Sequence, residues 1–493
     1  MLFWFVIAYW LISVAIGLIA ATRVHNTRDF AVAGRHLPFY MVTATVFATW
    51  FGAEAVLGVP ATFLNEGLRG VVADPFGSSM CLILVGLFFA APLYRMNLLT
   101  IGDFYKRRYG RGVEVLTTLA IVISYLGWVG AQISALGLVF NVVSGGEIGK
   151  VAGMWIGSGT ILVYTLFGGM WAVAVTDLLQ MVIIVIGMLW IGGEVSGMAG
   201  GVGAVVGHAM NEGKFAFFPP PDAREIIAFV TAAVTMMFGS IPQQDVFQRV
   251  QSAKSERIAV WGSVFGGSLY FLFAFVPMFL AYSATMIDPE MVGRLINSDS
   301  QMILPELVLG RAPLFAQVMF FGALLSAIKS TSSATLLAPS TSFVENILKN
   351  LRPGMNDRQQ LFATRWTIVV FAAGVLTYAM MMKGTSIYEL VSGAYQVTLV
   401  GAFVPLVFGL YWKRATTQGA IFSVAAGIGV WVLFFPQLTG WGDDFPGQLA
   451  GLLAALAGLV AGSLLPQWLE NRHDGVHTLD GPHAHGRHGH HGT

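Results

Sequence analysis

Apolar stretches of about 20 residues, separated by shorter polar connections, follow one another along most of the chain. A helix needs about 20 apolar residues to cross the hydrocarbon core of a bilayer. The pattern therefore predicts an all-α polytopic membrane protein with about thirteen transmembrane helices in a single domain over residues 1–470. The predicted spans begin near Leu2, Pro38, Ala73, Val113, Val151, Trp171, Ile226, Ala259, Pro313, Phe362, Ser386, Ala420 and Leu449.

The composition also indicates a membrane environment. Hydrophobic residues make up 56% of the 493 residues and charged residues only 11%, whereas a soluble domain needs about 25% charged residues to cover its surface. The lipid bilayer is therefore an expected partner, and a formal net charge of +1 argues against nucleic acid as another. The single cysteine, Cys81, excludes an internal disulfide bond.

Basic residues concentrate in alternate connections between the predicted spans. Cytoplasmic loops of membrane proteins carry an excess of Lys and Arg. We therefore expect a plasma (inner) membrane protein with its N-terminus outside and its C-terminus in the cytoplasm. The basic loops hold Arg23, Arg28 and Arg35; Arg95, Lys106, Arg107, Arg108 and Arg111; Arg249, Lys254 and Arg257; Lys349, Arg352 and Arg358; and Lys413 and Arg414.

The C-terminal segment 471–493 contains seven of the ten histidines in the chain. Low-complexity polar sequence of this kind is usually disordered, so we expect a disordered cytoplasmic tail. Chelation of a divalent metal by these histidines is the alternative interpretation.

The second predicted span contains polar and helix-breaking residues near its middle. Gly52 and Glu54 interrupt the apolar run, which continues to Gly58-Val59-Pro60. An unwound segment at this point would free backbone carbonyls, which are hard oxygen ligands for a small cation. The alternative is a helix that is only kinked and whose Glu54 pairs with a neighbour.

The ninth predicted span carries a run of hydroxyl residues and a lysine. A step of about 100° per residue places Ala327, Ser330 and Thr331 on one face of this helix, and Lys329 and Ser333 together on another. A carbonyl and two hydroxyl oxygens on the first face would suit a partly dehydrated sodium ion. Small hydroxyl residues also let helices pack closely, so helix packing is the alternative.

Other polar side chains within the spans are candidate ligands for an ion or a solute. Asp177 lies in the sixth predicted span, where a carboxylate is expected to pair or to bind a cation. Asp74 begins the third, where a carboxylate that faces water is an equal alternative. The candidate substrate-lining residues are Glu54, Asp74, Gln132, Ser240 and Gln396.

Motifs along nearly the whole chain resemble those of the sodium:solute symporter family. The most specific is Tyr164-Thr165-Leu166-Phe167-Gly168-Gly169-Met170-Trp171-Ala172-Val173, followed by Thr176-Asp177 and Gln180. The other motifs, in chain order, cover residues 30–35, 58–60, 100–105, 108–110, 248–249, 252–254, 322–335 and 409–416.

The resemblance implies a LeuT-like core of two inverted five-helix repeats, over about residues 38–195 and 225–412, with one extra helix before the core and two after it. Such a core binds ion and solute near the membrane midplane and alternates between outward and inward access. By the same resemblance, the sodium site falls on the carbonyls of Ala48, Phe51 and Ala327 and on the hydroxyls of Ser330 and Thr331.

A second cation site, which the resemblance implies for some members, would use Asp177 with Ser330 and Ser333. In this chain Ala334 replaces a hydroxyl residue and Lys329 replaces an apolar one. We therefore expect the Lys329 ammonium to approach Asp177 as a tethered cation. Because burial disfavours the charged form of a lysine, a proton-coupled transporter that uses Lys329 and Asp177 is the alternative to sodium coupling.

The expected function is a secondary active symporter that imports a small polar organic solute on a sodium (Na⁺) gradient. The resemblance disfavours a sugar, because Ala55 and Gly239-Ser240 stand where sugar-binding members carry a glutamine and an aromatic pair. An amino acid or a small organic acid is favoured instead. We expect sodium as the only metal, no organic cofactor and no enzymatic activity, and the sequence selects no oligomeric state. A transporter-like sensor and a channel are the further alternatives.

Overall fold

A computed structural model describes residues 1–382 and 384–471. The described chain is helical, and its extended segments pair only in an isolated bridge between Leu37 and Ala253. The predicted tail over 471–493 lies outside the described residues, apart from its first residue. The helices are α1 (Leu2–Ala20), α2 (Thr27–Val32), α3 (Phe39–Trp50), α4 (Val59–Glu66), α5 (Ser78–Leu84), α6 (Ala90–Arg95), α7 (Ile101–Tyr109), α8 (Arg111–Val143), α9 (Lys150–Met198), α10 (Val202–Asn211), α11 (Ala223–Gly239), α12 (Gln244–Ser252), α13 (Glu256–Ile287), α14 (Pro289–Leu295), α15 (Ile303–Arg311), α16 (Leu314–Phe343), α17 (Lys349–Leu351), α18 (Asp357–Met381), α19 (Ile387–Gly401), α20 (Phe403–Tyr411), α21 (Thr417–Leu433) and α22 (Gly447–Leu464).

The helices account for the predicted number of membrane crossings. Among the described residues, eight continuous helical segments are long and apolar enough to span a bilayer, and three pairs that bend sharply at a short break bring the number to eleven. Helix α9 has 49 residues, and an unbroken helix of that length would measure about 73 Å, more than twice the thickness of the hydrocarbon core. Because α9 breaks at Gly169, we count its two halves as separate crossings, and with the shorter apolar α21 the described residues reach the predicted thirteen.

The predicted break in the second span is confirmed. Helix α3 ends at Trp50, Phe51 has a non-helical ψ of 74°, and the helix that resumes at Glu54 is bent by 56°. The first span of the second predicted repeat, α11 with α12, is likewise bent, by 45°. Irregular backbone at membrane depth is tolerated only where protein or a water-filled cavity covers it, so these breaks mark the core. The repeat boundaries remain a prediction.

Helix α16 lies at the centre of the bundle. It contacts α1, α3, α8, α9, α12 and α18, and every residue from Ala323 to Ser342 is buried. Many hydroxyl groups at this depth bond to carbonyls of the same helix, which satisfies them without water. Those that donate to the carbonyl four residues earlier are Ser326, Ser332, Thr335, Ser340 and Thr341.

Gly169→Ala is expected to destabilise the protein. Gly169 has φ 53° and ψ −138°, a conformation that costs a residue with a Cβ about 1–3 kcal/mol, and an added Cβ would lie 2.5 Å from the carbonyl oxygen of Phe30. We expect a melting temperature in detergent lowered by several degrees. The control Gly192→Ala, in the same helix and with no atom within 4 Å of the added Cβ, should melt like the unchanged protein. Equal melting of the two variants would contradict this account of the break.

Candidate functional site

The break in the second span lies directly against α16. The hydroxyl of Ser330 donates a hydrogen bond to the backbone carbonyl of Ala48 in the last turn of α3, and it lies 3.3 Å from the carbonyl oxygen of Ala327. All three residues are fully buried. The structure therefore brings together three of the five residues that the sequence predicts as sodium ligands.

The Thr331 side chain faces the same break. Its hydroxyl is buried and has no hydrogen-bond partner among the described residues, and a Cβ added to Gly52 would lie 2.5 Å from it. Buried hydroxyls are normally hydrogen-bonded, so an unpaired one beside freed backbone is the arrangement expected of an ion ligand. Phe51, the fifth predicted ligand, is the first residue after the end of α3.

Asp177 lies in α9, eight residues beyond the break at Gly169. Thr45 of α3 donates a 2.7 Å hydrogen bond to one carboxylate oxygen of Asp177, and the other oxygen is buried without a partner in the described part of the chain. Ser333, its predicted companion, donates instead to the carbonyl oxygen of Ser330 at 3.1 Å. One oxygen of Asp177 is thus available to a cation, while the Ser333 hydroxyl bonds within α16.

Lys329 is held by α1 instead of by Asp177, so the predicted pairing is wrong. Its ammonium donates a hydrogen bond to the Ser13 hydroxyl and lies 5.2 Å from the ring centroid of Trp10 and 4.9 Å from that of Tyr164. None of the ion pairs between described residues includes Lys329. A hydroxyl oxygen and the faces of two aromatic rings stabilise the ammonium where a carboxylate was expected.

Arg249, which the sequence places in a cytoplasmic loop, is buried in α12. Its Nε donates to Thr49 Oγ1 at 2.9 Å, and its Nη1 donates to the carbonyl oxygen of Asp245 at 3.1 Å. Thr49 lies one turn of α3 from Thr45, which donates to Asp177. Sequence reasoning missed Arg249 because α12 is a short polar run between two apolar spans, yet every residue of α12 is buried.

Glu54 follows the break and is hydrogen-bonded through both carboxylate oxygens. Trp128 Nε1 donates at 3.3 Å and Gln132 Nε2 at 2.6 Å, and the Gln132 side-chain oxygen accepts from the Ala53 backbone N–H at 2.9 Å. Two predicted lining residues are therefore in direct contact. Glu54 therefore has a neighbouring partner, as the kinked-helix interpretation of the second span expected.

Asp74 is buried. It therefore does not face water, which was the alternative interpretation of this carboxylate. The Tyr270 hydroxyl donates to Asp74 Oδ1 at 2.6 Å and the Ser78 hydroxyl donates to it at 2.8 Å. The Tyr270 ring packs against Trp50, and Trp50 packs against Trp128, the residue that donates to Glu54. The two carboxylates therefore belong to one region of the core.

Four buried aromatic residues surround this region, and we call them the aromatic cluster: Trp50, Trp128, Tyr270 and Tyr395. The ring centroid of Trp50 lies 6.2 Å from that of Trp128 and 6.5 Å from those of both tyrosines. Trp128 and Tyr395 are 5.6 Å apart. The sequence did not single these residues out, because aromatic residues in an apolar span look alike whether they face lipid, another helix or a solute.

The last two predicted lining residues have different outcomes. Ser240 is buried between α11 and α12 with its hydroxyl unpaired among the described residues, and its neighbour Gly239 packs against the Tyr395 backbone. Ser240 therefore lies beside the aromatic cluster. Gln396 accepts a 3.1 Å hydrogen bond from Trp431 in α21. It faces one of the added helices and does not line this region, which corrects the prediction.

Comparisons with known proteins identify the family. The chain matches the model of the sodium:solute symporter family over residues 30–427. The human high affinity choline transporter 1 is 26% identical over 451 residues, which are 86% of this chain and 75% of that protein. The human sodium/iodide cotransporter is also 26% identical over 451 residues, covering 86% of this chain and 68% of its own length.

A solved structure supports the LeuT-like fold. A Na⁺-coupled sialic acid symporter in a substrate-bound outward-open state superposes with a TM-score of 0.81 and 16% sequence identity, over 94% of this chain and 98% of that one. The resemblance that the motifs indicated is confirmed, since the family model covers most of the chain. This protein belongs to the sodium:solute symporter family.

Proposed function

We propose that the protein is a secondary active symporter that couples the entry of sodium to the import of a small organic cation by alternating access. The observation that carries the sodium part is the buried, unpaired hydroxyl of Thr331 beside the broken second span. Family membership supports transport as the activity. In this proposal the solute crosses chemically unchanged, and no organic cofactor takes part.

The proposed ion site joins two helices. Its ligands are the carbonyl oxygens of Ala48, Phe51 and Ala327 and the hydroxyl oxygens of Ser330 and Thr331. Carbonyls of a broken helix are suited to sodium, because they are fixed, uncharged and hard. Since the ligands come from both α3 and α16, the site is complete only while the two helices are close, and their separation would release the ion.

The proton-coupled alternative requires Lys329 to act together with Asp177. Lys329 bonds to Ser13 of α1 instead and so lies outside the proposed ion site. One oxygen of Asp177, which has no hydrogen-bond partner among the described residues, is a second place for a cation.

Thr331→Ala should weaken sodium binding selectively. The substitution removes one proposed ligand but no existing hydrogen bond, since the hydroxyl has none among the described residues. We expect the sodium concentration that half-saturates substrate uptake to rise by about ten-fold or more. The control Thr335→Ala removes a hydroxyl one turn along the same helix that bonds to the Thr331 carbonyl, and it should leave the sodium dependence unchanged. An equal shift in both variants would show that Thr331 is not a ligand.

The region around Glu54 and Asp74 favours a positively charged solute. The faces of aromatic rings attract cations, and rings of this kind recognise quaternary ammonium groups. Two buried carboxylates in the same region add to the attraction, whereas a small organic acid would add a third negative charge there. An organic cation therefore replaces the amino acid or small organic acid that the sequence favoured.

One relative supports this choice of substrate. The human protein named high affinity choline transporter 1 is named for a solute with a quaternary ammonium group, and it matches 86% of this chain. A relative named for iodide matches equally well, so family membership alone does not select the solute. The aromatic cluster and the two carboxylates carry the proposal.

Choline should bind to the purified protein in sodium and raise its melting temperature more than equal concentrations of proline, acetate or glucose. Glu54→Gln keeps a side chain that can bond to Gln132 but removes the charge, so we expect choline affinity to fall by about ten-fold or more. The control Glu66→Gln changes an exposed carboxylate at the end of α4 and should bind choline normally. A cation substrate is excluded if choline stabilises the protein no better than acetate or glucose.

We further propose that the N-terminus lies outside and the C-terminus in the cytoplasm of the plasma membrane, because basic residues gather in alternate loops. Cys81 is the only cysteine and is buried, so single introduced cysteines can report the orientation. A membrane-impermeant maleimide added to intact cells should label Asp443→Cys and not Arg257→Cys. The reverse pattern of labelling would invert the topology.

A further inference from the structure

A groove that the transport proposal does not use lies between the ends of α16 and α18. It encloses about 760 Å³ and is lined by thirteen residues from the segment 343–370 of the chain. It shares no residue with the proposed ion site or the aromatic cluster. Positive-inside bias places this end of the two helices at the cytoplasmic surface of the membrane.

One wall of the groove is apolar and faces outward from the bundle. Phe362, Trp366 and Val370 follow one another at four-residue spacing along α18, and their exposed fractions are 65%, 57% and 68%. Phe343, the last residue of α16, and Leu348, in the segment that follows it, also line the groove. In a membrane such a surface lies against acyl chains, and an aromatic residue near its end marks the level of the head groups.

The other end of the groove is basic. Arg352 and Arg358 line it, are exposed, and form no ion pair within 4.0 Å with a described residue. Other basic side chains nearby are occupied, since Lys349 pairs with a carboxylate at 3.5 Å and Arg365 donates to a backbone carbonyl at 3.1 Å. Two guanidinium groups are thus left available where α16 and α18 meet the head-group layer.

We propose that this groove binds one anionic phospholipid. Its phosphate contacts Arg352 and Arg358, and an acyl chain lies along Phe362, Trp366 and Val370. Guanidinium groups bind phosphate oxygens through paired hydrogen bonds, and basic pockets between helices on the cytoplasmic side bind anionic head groups. A neutral lipid would fill the apolar wall equally well but would leave the two charges uncompensated.

A lipid bound in this groove would connect two helices. It would bridge α18 to the end of α16, the helix that carries Ser330 and Thr331. The inference itself rests on the groove and its charges and is independent of the substrate and of the coupling ion.

Native mass spectrometry of the full-length protein, released from nanodiscs of equal phosphatidylglycerol and phosphatidylcholine, tests the proposal. We expect one retained phosphatidylglycerol, preferred over phosphatidylcholine by about 30-fold, since each arginine near the membrane surface contributes about five-fold. The double substitution Arg352→Gln and Arg358→Gln should abolish the preference. The matched control, Arg111→Gln with Arg257→Gln, removes two other exposed arginines of the predicted cytoplasmic side and should retain it.

A second variant keeps the charges but fills the groove. Ala363→Trp places a large side chain in the groove, and it should reduce the amount of retained lipid at an unchanged melting temperature. The proposal is overturned if the unchanged protein retains both lipids equally, or if the two double variants lose phosphatidylglycerol to the same extent. It is also overturned if Ala363→Trp retains the lipid in full.

Discussion

A helix that breaks inside the hydrocarbon core leaves backbone carbonyls that water does not reach, and the rest of this structure depends on how they are covered. Helix α16 covers them. Ser330 bonds to the Ala48 carbonyl, and Thr331 lies against Gly52 of the break. Other hydroxyls of α16 donate hydrogen bonds to carbonyls of their own helix. The hydroxyls of Ser330 and Thr331 instead face the break after α3. A sodium ion held there would satisfy the carbonyls and the unpaired hydroxyl together.

The broken span also contacts buried charged residues through two threonines of α3. Thr45 and Thr49 lie one turn apart on α3, and the first bonds to Asp177 of α9 while the second bonds to Arg249 of α12. Helix α3 therefore contacts a buried acid and a buried base from the same face. Beyond the break, Glu54 is hydrogen-bonded by Trp128 and Gln132. In the proposed mechanism the ion and the solute share one structural element, the interrupted second span, so the binding of one would depend on the other.

Much of this architecture could be predicted from the sequence, because it follows from local pattern. Hydropathy located the spans, Gly52 and Glu54 located the break, and helical periodicity placed Ser330 and Thr331 on one face. The errors have a common cause: periodicity defines the face of a helix but not which helix packs against it. The Lys329 side chain turns to α1 and Gln396 turns to α21. The aromatic cluster was missed for the same reason, since aromatic residues are common throughout apolar spans.

If a sodium ion at the break drives uptake, proteoliposomes under one imposed gradient at a time will reveal it. Labelled choline should accumulate against its own gradient when the sodium gradient is directed inward. It should not accumulate when a proton gradient is imposed in sodium-free medium. Accumulation that needs the proton gradient and persists without sodium would contradict the assignment of Ala48, Ser330 and Thr331 as the coupling site.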